Sequence, residues 1–158
     1  SLERVVTCTT RAPREAEANG KDYHFFAEEE FSRRVALGEF LEHAEVYGQR
    51  YGTLRASVDA LTAAGLDVLL VNDVQGAETV MEAIEDLTTV FLKTETLEDL
   101  RERLENRAAE DAAEIKKRLT IAEVEMARAD EFDHVVASGT KEEDWRRVQE
   151  IYEKAKQR

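Results

Sequence analysis

The run Val68-Leu69-Leu70-Val71 constrains this chain more than any other stretch, because it sets four aliphatic residues in a row between two helical patterns. The first pattern carries Val58 and Leu61 and closes at Gly65; the second spans Gly76 to Glu85. An unbroken apolar run between turn signals suits a strand covered on both faces, the situation of an inner strand in a parallel sheet. The flanking helices supply the crossovers that parallel strands require. The alternation continues downstream. Thr88 to Leu92 reads as a strand, and Leu97, Leu100 and Leu104 line one face of a helix. A long helical pattern with Ile115, Leu119 and Met126 leads to a last strand, His134 to Ala137, and to a terminal helix containing Val148, Ile151 and Tyr152. The expected class is α/β, a parallel sheet flanked by helices.

The first third has a different texture. Val5 to Thr9 is a β-branched run that predicts a strand, followed by a polar loop from Thr10 to Lys21 that holds the only proline, Pro13. Tyr23 to Phe26 predicts a short strand, and Glu28 to Leu37 a helix with Phe31 and Val35 on one face, stopped by Gly38. Phe40 to Val46 predicts another strand, Tyr47-Gly48-Gln49-Arg50 a turn, and Tyr51 to Thr53 a returning strand. Residues 22–54 thus form a small mixed β lobe. At 158 residues and 42% hydrophobic content the chain suffices for one core, so the lobe is expected as an insertion within a single domain, 1–158.

Charge restricts the partners. With 35 acidic and 22 basic residues the net charge is −13, which repels nucleic acid and anionic membranes at long range. An anionic ligand has to be captured locally, and Arg11, Arg14 and Lys21 form a basic island, although solvated surface charge is the plain alternative for such a cluster. Cys8 is the only cysteine, so no intramolecular disulfide forms, and the expected compartment is the reducing cytoplasm. No apolar run of about 18 residues and no signal-type N-terminus is present. His24, His43 and His134 lack the pairing and the cysteine company of a structural metal site, so no protein-bound metal is expected.

Thr7-Cys8-Thr9-Thr10-Arg11-Ala12-Pro13-Arg14, Asp22-Tyr23, Phe40-Leu41-Glu42 and Tyr51-Gly52-Thr53 read together as a nucleoside monophosphate pocket. Arg11 and Arg14 lie across a proline and offer forked donors to phosphate oxygens, while Tyr23 and Tyr51 add hydroxyls. Glu42 can accept two N–H bonds from a purine edge; taken alone, it also fits an outward, solvated carboxylate. Guanine presents N1–H and N2–H₂ together and adenine does not, so a carboxylate there selects guanine.

These motifs resemble the GMP-binding half of guanylate kinases, and the resemblance covers the chain from Val5 to the terminal helix. It implies a P-loop-kinase-like core with the 22–54 lobe binding GMP and a helical lid at 107–118. It further implies Arg11, Arg14, Tyr23 and Tyr51 on the GMP phosphate, and Thr7, Glu42, Thr53 and Asp73 around the base, Asp73 standing in an Asp-x-Gln-Gly stretch. Arg14, Arg107 and Arg118 are implied as catalytic residues on the transferring phosphoryl group. The implied reaction is transfer from ATP to GMP, with Mg²⁺ arriving with the ATP.

No Gly-x-x-x-x-Gly-Lys-Ser/Thr occurs among the 158 residues. The resemblance begins after the family's first strand, phosphate loop and first helix, so that loop is expected upstream of Ser1. Val71-Asn72 stands where the family has an acidic and an aliphatic residue, Lys93-Thr94-Glu95 where a proline pair is usual, and Ala137-Ser138-Gly139 where a turn contains asparagine. The alternative is a catalytically inactive module of the same fold that binds GMP or a phosphorylated protein partner.

Overall fold

The computed structural model describes residues 1–106 and 112–157, without the side chain of Glu114. It divides into two compact units, Ser1–Glu85 and Asp86–Arg158. The first contains β1 (Leu2–Arg4), β2 (Cys8–Thr9), β3 (His24–Phe25), α1 (Glu28–Ala36), β4 (Phe40–Val46), β5 (Gln49–Leu54), α2 (Arg55–Ala63), β6 (Asp67–Leu69) and α3 (Val74–Ala83).

In this unit β1 and β6 form a parallel pair, and four strands in the order β3-β2-β5-β4 form a mixed sheet, with β2 and β3 parallel and the others antiparallel. The β4–β5 hairpin turns on Tyr47 and Gly48, whose φ angles of 53° and 72° suit the tight two-residue turn that matches strand twist. Helix α1 packs on this sheet for reasons visible in its residues. Glu28, Glu29 and Glu30 open it and Arg33 and Arg34 close it, each charge complementing the helix dipole. Gly38, at a φ of 68°, lets the chain reverse. Phe31 is completely buried from this helix, stacked on Phe40 with ring centres 4.5 Å apart and joined by Cys8, Phe26, Val35 and Leu54.

Two expectations need correction. The run from Val5 to Thr9 is not one strand. Val5 extends the β1 ladder by one bond, its N–H donating to the Leu69 carbonyl at 3.2 Å, and the chain then leaves that sheet and enters the mixed sheet at Cys8. The β-branched run therefore records burial in two sheets in succession. The stretch Val68 to Val71 is not covered on both faces either. Strand β6 ends at Leu69, has β1 as its one neighbour among the described residues, and leaves Val71 64% exposed. An apolar run reports a tendency to burial and not how many neighbours the strand acquires.

The second unit contains β7 (Val90–Lys93), α4 (Leu97–Asn106), α5 (Ala112–Met126), a 3₁₀ turn (Ala129–Glu131), β8 (His134–Ala137) and α6 (Lys141–Ala155). Strands β7 and β8 pair in parallel, and Phe91 meets Phe132 edge-on at 5.1 Å. Thr140 and Glu143 start α6 with a reciprocal capping box. The Ser138–Gly139 turn is held by Arg103, which donates to the Ser138 hydroxyl and carbonyl at 2.9 Å, and by Asp144, which accepts from both Ser138 Oγ and the Gly139 N–H. The chain is mixed α/β, as its residues predict.

Candidate functional site

The mixed sheet has two faces, and its register decides which residues share each. Glu42 pairs with Thr53, Ala44 with Tyr51, Tyr51 with Thr9, and Thr9 with Phe25. Side chains alternate along a strand, so these residues share one face, and Cys8, His43 and Gly52 share the other with Phe31 and Phe40. An irregularity between Phe40 and Glu42 turns Phe40 toward the core although it stands two residues from Glu42. Gly52 admits Phe40: a Cβ there would lie 2.8 Å from the Phe40 ring.

At one end of the free face sits Glu42, 6% exposed. The fully buried Thr53 donates its hydroxyl to Glu42 Oε1 at 2.6 Å. Helix α3 brings its first turn against the same carboxylate. Asp73 caps this helix, accepting the Gly76 N–H at 2.9 Å. A Cβ on Gly76 would lie 2.8 Å from Glu42 Oε2, 3.0 Å from Asp73 Oδ1 and 3.1 Å from Asn72 Nδ2, so glycine is what permits this approach. Burial pushes the Glu42 carboxyl above the usual carboxylate range; the Thr53 hydroxyl opposes the shift, the Asp73 charge adds to it, and an Asn72 side-chain hydrogen bond opposes it again. Two carboxylates side by side at the head of a helix suit a ligand edge that carries several N–H donors and no acceptor facing them.

Toward the other end Arg11, Tyr23 and Tyr51 come together. The Arg11 guanidinium lies 5.5 Å from the Tyr23 ring centre and 5.9 Å from that of Phe25, and Tyr23 meets Tyr51 edge-on at 6.1 Å. Arg11 is already oriented. It donates to both carboxylate oxygens of Glu17 at 3.0 and 2.9 Å, and the Arg14 backbone N–H reaches the same carboxylate at 2.7 Å. The Arg11 guanidinium holds Glu17 below the usual carboxylate range. The Arg14 side chain stands exposed on this loop. Because Glu17 ties both arginine positions into one loop, Glu17→Ala is expected to lower the affinity of this loop for a phosphate-bearing ligand about tenfold by calorimetry while leaving the same ligand without its phosphate unaffected. Equal losses for both ligands would reject the loop tie.

Thr7 precedes β2, partly buried, with its carbonyl accepting the His24 N–H at 2.8 Å. Arg118 lies on α5 of the second unit, and Arg107 lies outside the described residues. The structure thus gathers Glu42, Thr53 and Asp73 at one place and Arg11, Tyr23 and Tyr51 at another on the same sheet face. It adds Glu17, Asn72 and Gly76, which sequence reasoning did not select. Glu17 was detectable as an acid six residues after Arg11 in a basic loop; Asn72 and Gly76 depend on how α3 meets β4. Burial drives the Cys8 thiol to about 12, so it stays protonated. Among the described residues no three His, Cys, Asp or Glu side chains could jointly hold a metal ion, and no helix is long and apolar enough to cross a membrane.

The family model described as guanylate kinase matches residues 2–155. The guanylate kinase of Thiobacillus denitrificans is 44% identical over 138 residues, 87% of this chain and 66% of that protein. The guanylate kinase of Chromohalobacter salexigens is 43% identical over 145 residues, 88% of this chain and 67% of that protein. The crystal structure of guanylate kinase from Anaplasma phagocytophilum superposes with a TM-score of 0.82 at 34% identity, covering 96% of this chain and 74% of that one. The chain spans about two thirds of the length of the curated relatives it matches. With a family model matched from Leu2 to Ala155 and relatives above 40% identity, the chain belongs to the guanylate kinase family.

Proposed function

We propose that this chain supplies the acceptor side of a guanylate kinase, transferring the γ-phosphoryl group of ATP to GMP to give ADP and GDP. The observation that carries the reading is the buried Glu42 carboxylate, held by Thr53 and faced by Asp73, on the same sheet face as the Arg11, Tyr23 and Tyr51 group. Glu42 and Asp73 take the N1–H and N2–H₂ donors of guanine, with Thr53 and Thr7 beside the base. Arg11, Arg14, Tyr23 and Tyr51 take the phosphate. Arg14, Arg107 and Arg118 neutralise charge on the transferring group, and alignment of the GMP phosphate oxygen makes a general base unnecessary.

Mg²⁺ is the ion that accompanies ATP in such transfers. It would arrive bound to the ATP phosphates and would neutralise charge on them. The ATP phosphates need a Gly-x-x-x-x-Gly-Lys-Ser/Thr loop, a pattern the 158 residues do not contain. We place the activity in the cytoplasm, with neither nucleic acid nor membrane as partner, because a net charge of −13 opposes both.

The test is GMP-dependent ADP formation from Mg·ATP by the full gene product, with AMP as control acceptor, alongside thermal shift of the 158-residue chain. Activity with GMP and not AMP is expected, together with stabilisation of the chain by GMP. Stabilisation by GMP without turnover would make the protein a binding module. Stabilisation by a phosphoserine peptide and not by GMP would reject the nucleotide reading.

A further inference from the structure

Gly76 is a glycine that its own backbone does not call for. It is the third residue of α3 and has no positive φ, and alanine is the more favourable residue at such a helical position. The reason for glycine lies in what crowds it. The place a Cβ would occupy is 2.8 Å from Glu42 Oε2, 3.0 Å from Asp73 Oδ1 and 3.1 Å from Asn72 Nδ2, so three polar side-chain ends converge on one notch in the first turn of α3.

These neighbours differ in how readily they give way. Asp73 Oδ1 accepts the Gly76 N–H at 2.9 Å and is held by that cap. Glu42 comes from another element, β4, and its Oε1 is secured by the Thr53 hydroxyl at 2.6 Å. A methyl group at position 76 would therefore act chiefly on Oε2, which is the nearest atom and the far end of a long side chain. Ordinary carbon–oxygen contact requires that oxygen to retreat by about 0.5 Å. Turning the carboxylate about its Thr53 tie by that amount costs the fold little, yet it changes the direction in which the carboxylate points.

We infer that Gly76 is a positioning residue that sets selectivity for guanine: its missing side chain leaves the notch in which Glu42 Oε2 rests, and so fixes the angle at which the carboxylate meets the base. The inference rests on the reading of Glu42 as the guanine acceptor. Two parallel donors such as N1–H and N2–H₂ need both carboxylate oxygens directed at the base edge, so a turned carboxylate loses one of the two bonds. Adenine has no such donor pair and loses nothing when the carboxylate turns. The Arg11, Tyr23 and Tyr51 group stands toward the other end of the sheet face and is left as it is. A methyl group at position 76 thus falls on discrimination between purines, with phosphate capture and stability intact.

The decisive measurement is calorimetry of the 158-residue chain with GMP and AMP, together with melting temperatures, for the parent, Gly76→Ala, Glu42→Gln and the double variant. Gly76→Ala should bind GMP about tenfold more weakly and AMP within about twofold of the parent, and it should melt no lower than the parent because alanine suits the helix better. In the Glu42→Gln background the same alanine should change GMP affinity by less than about twofold, since its effect passes through the carboxylate. A glycine required only for packing would lower the melting temperature and weaken GMP and AMP alike, which would overturn the inference. Gly76→Ala binding GMP within about twofold of the parent would also overturn it, and would leave the guanine reading standing. Absence of GMP binding by the parent, or a GMP-to-AMP preference unchanged by Glu42→Gln, would overturn both.

Discussion

Glu42→Gln is expected to lower GMP affinity about 100-fold or more while changing AMP affinity little, so that the preference between the two acceptors nearly disappears. In the proposed reading the carboxylate accepts from two guanine donors, and the glutamine amide would present its own N–H to one of them. The phosphate group of residues at Arg11 is untouched, which is why the effect falls on selectivity. Calorimetry with GMP, AMP and guanosine separates the contributions; an unchanged GMP-to-AMP ratio would remove Glu42 from the base pocket.

The same substitution should stabilise the ligand-free chain. The Glu42 carboxyl is shifted upward in the folded protein, chiefly by burial. A group raised in this way contributes stability that is fully present below its unfolded value and is lost as pH rises through the folded value. At pH 8 the ionised, buried Glu42 therefore holds the fold back, and a neutral glutamine that still accepts the Thr53 hydroxyl does not. Melting temperatures should be higher for the variant at pH 8 and converge on the parent near pH 4. A variant that melts lower at pH 8 would mean that the carboxylate is structurally required.

Phe31→Ala carries the largest expected loss of stability, about 3–5 kcal/mol, the range for emptying a buried phenylalanine site. Phe31 is entirely buried, stacked at 4.5 Å on Phe40, and the Arg50 guanidinium lies 4.4 Å from its ring centre on the way to Glu28 and Ser32. Such a loss is a large share of the 5–15 kcal/mol by which domains are usually stable. It should appear as a lower urea midpoint and as GMP binding recoverable only at reduced temperature. A change under 1 kcal/mol would show that the sheet and α1 close over the gap.

Much of this was legible along the chain, and what was missed has a common origin. Helix α1, strand β4 and the β4–β5 turn follow from local period and from Gly38 and Gly48, so their residues announced them. Glu42 and Thr53 each stand in a recognisable motif, and the register sets them opposite one another. The extent of the strand at Val68 to Val71 was not legible, since the neighbours of a strand are decided by distant sequence. Asn72 and Gly76 acquire meaning only when α3 meets β4, a contact no local window contains. Asp73 suited helix capping or base recognition on sequence grounds; it caps α3 and also stands beside Glu42, so the two roles are compatible.

The hairpin turn at Tyr47 and Gly48 has a consequence for how specificity is inherited by the fold. Tyr51 and Thr53, which the proposed reading sets against the phosphate and the base of one ligand, stand two residues apart on β5, so the separation of their backbone positions is set by the pleat, about 6.5–7 Å. A slip of one residue in the β4–β5 register would carry both to the core face and bring Gly52 outward, removing both proposed contacts in the same event. The two-residue turn thus acts as a ruler: a one-residue change in its length is expected to abolish the proposed ligand binding outright rather than weaken it by degrees.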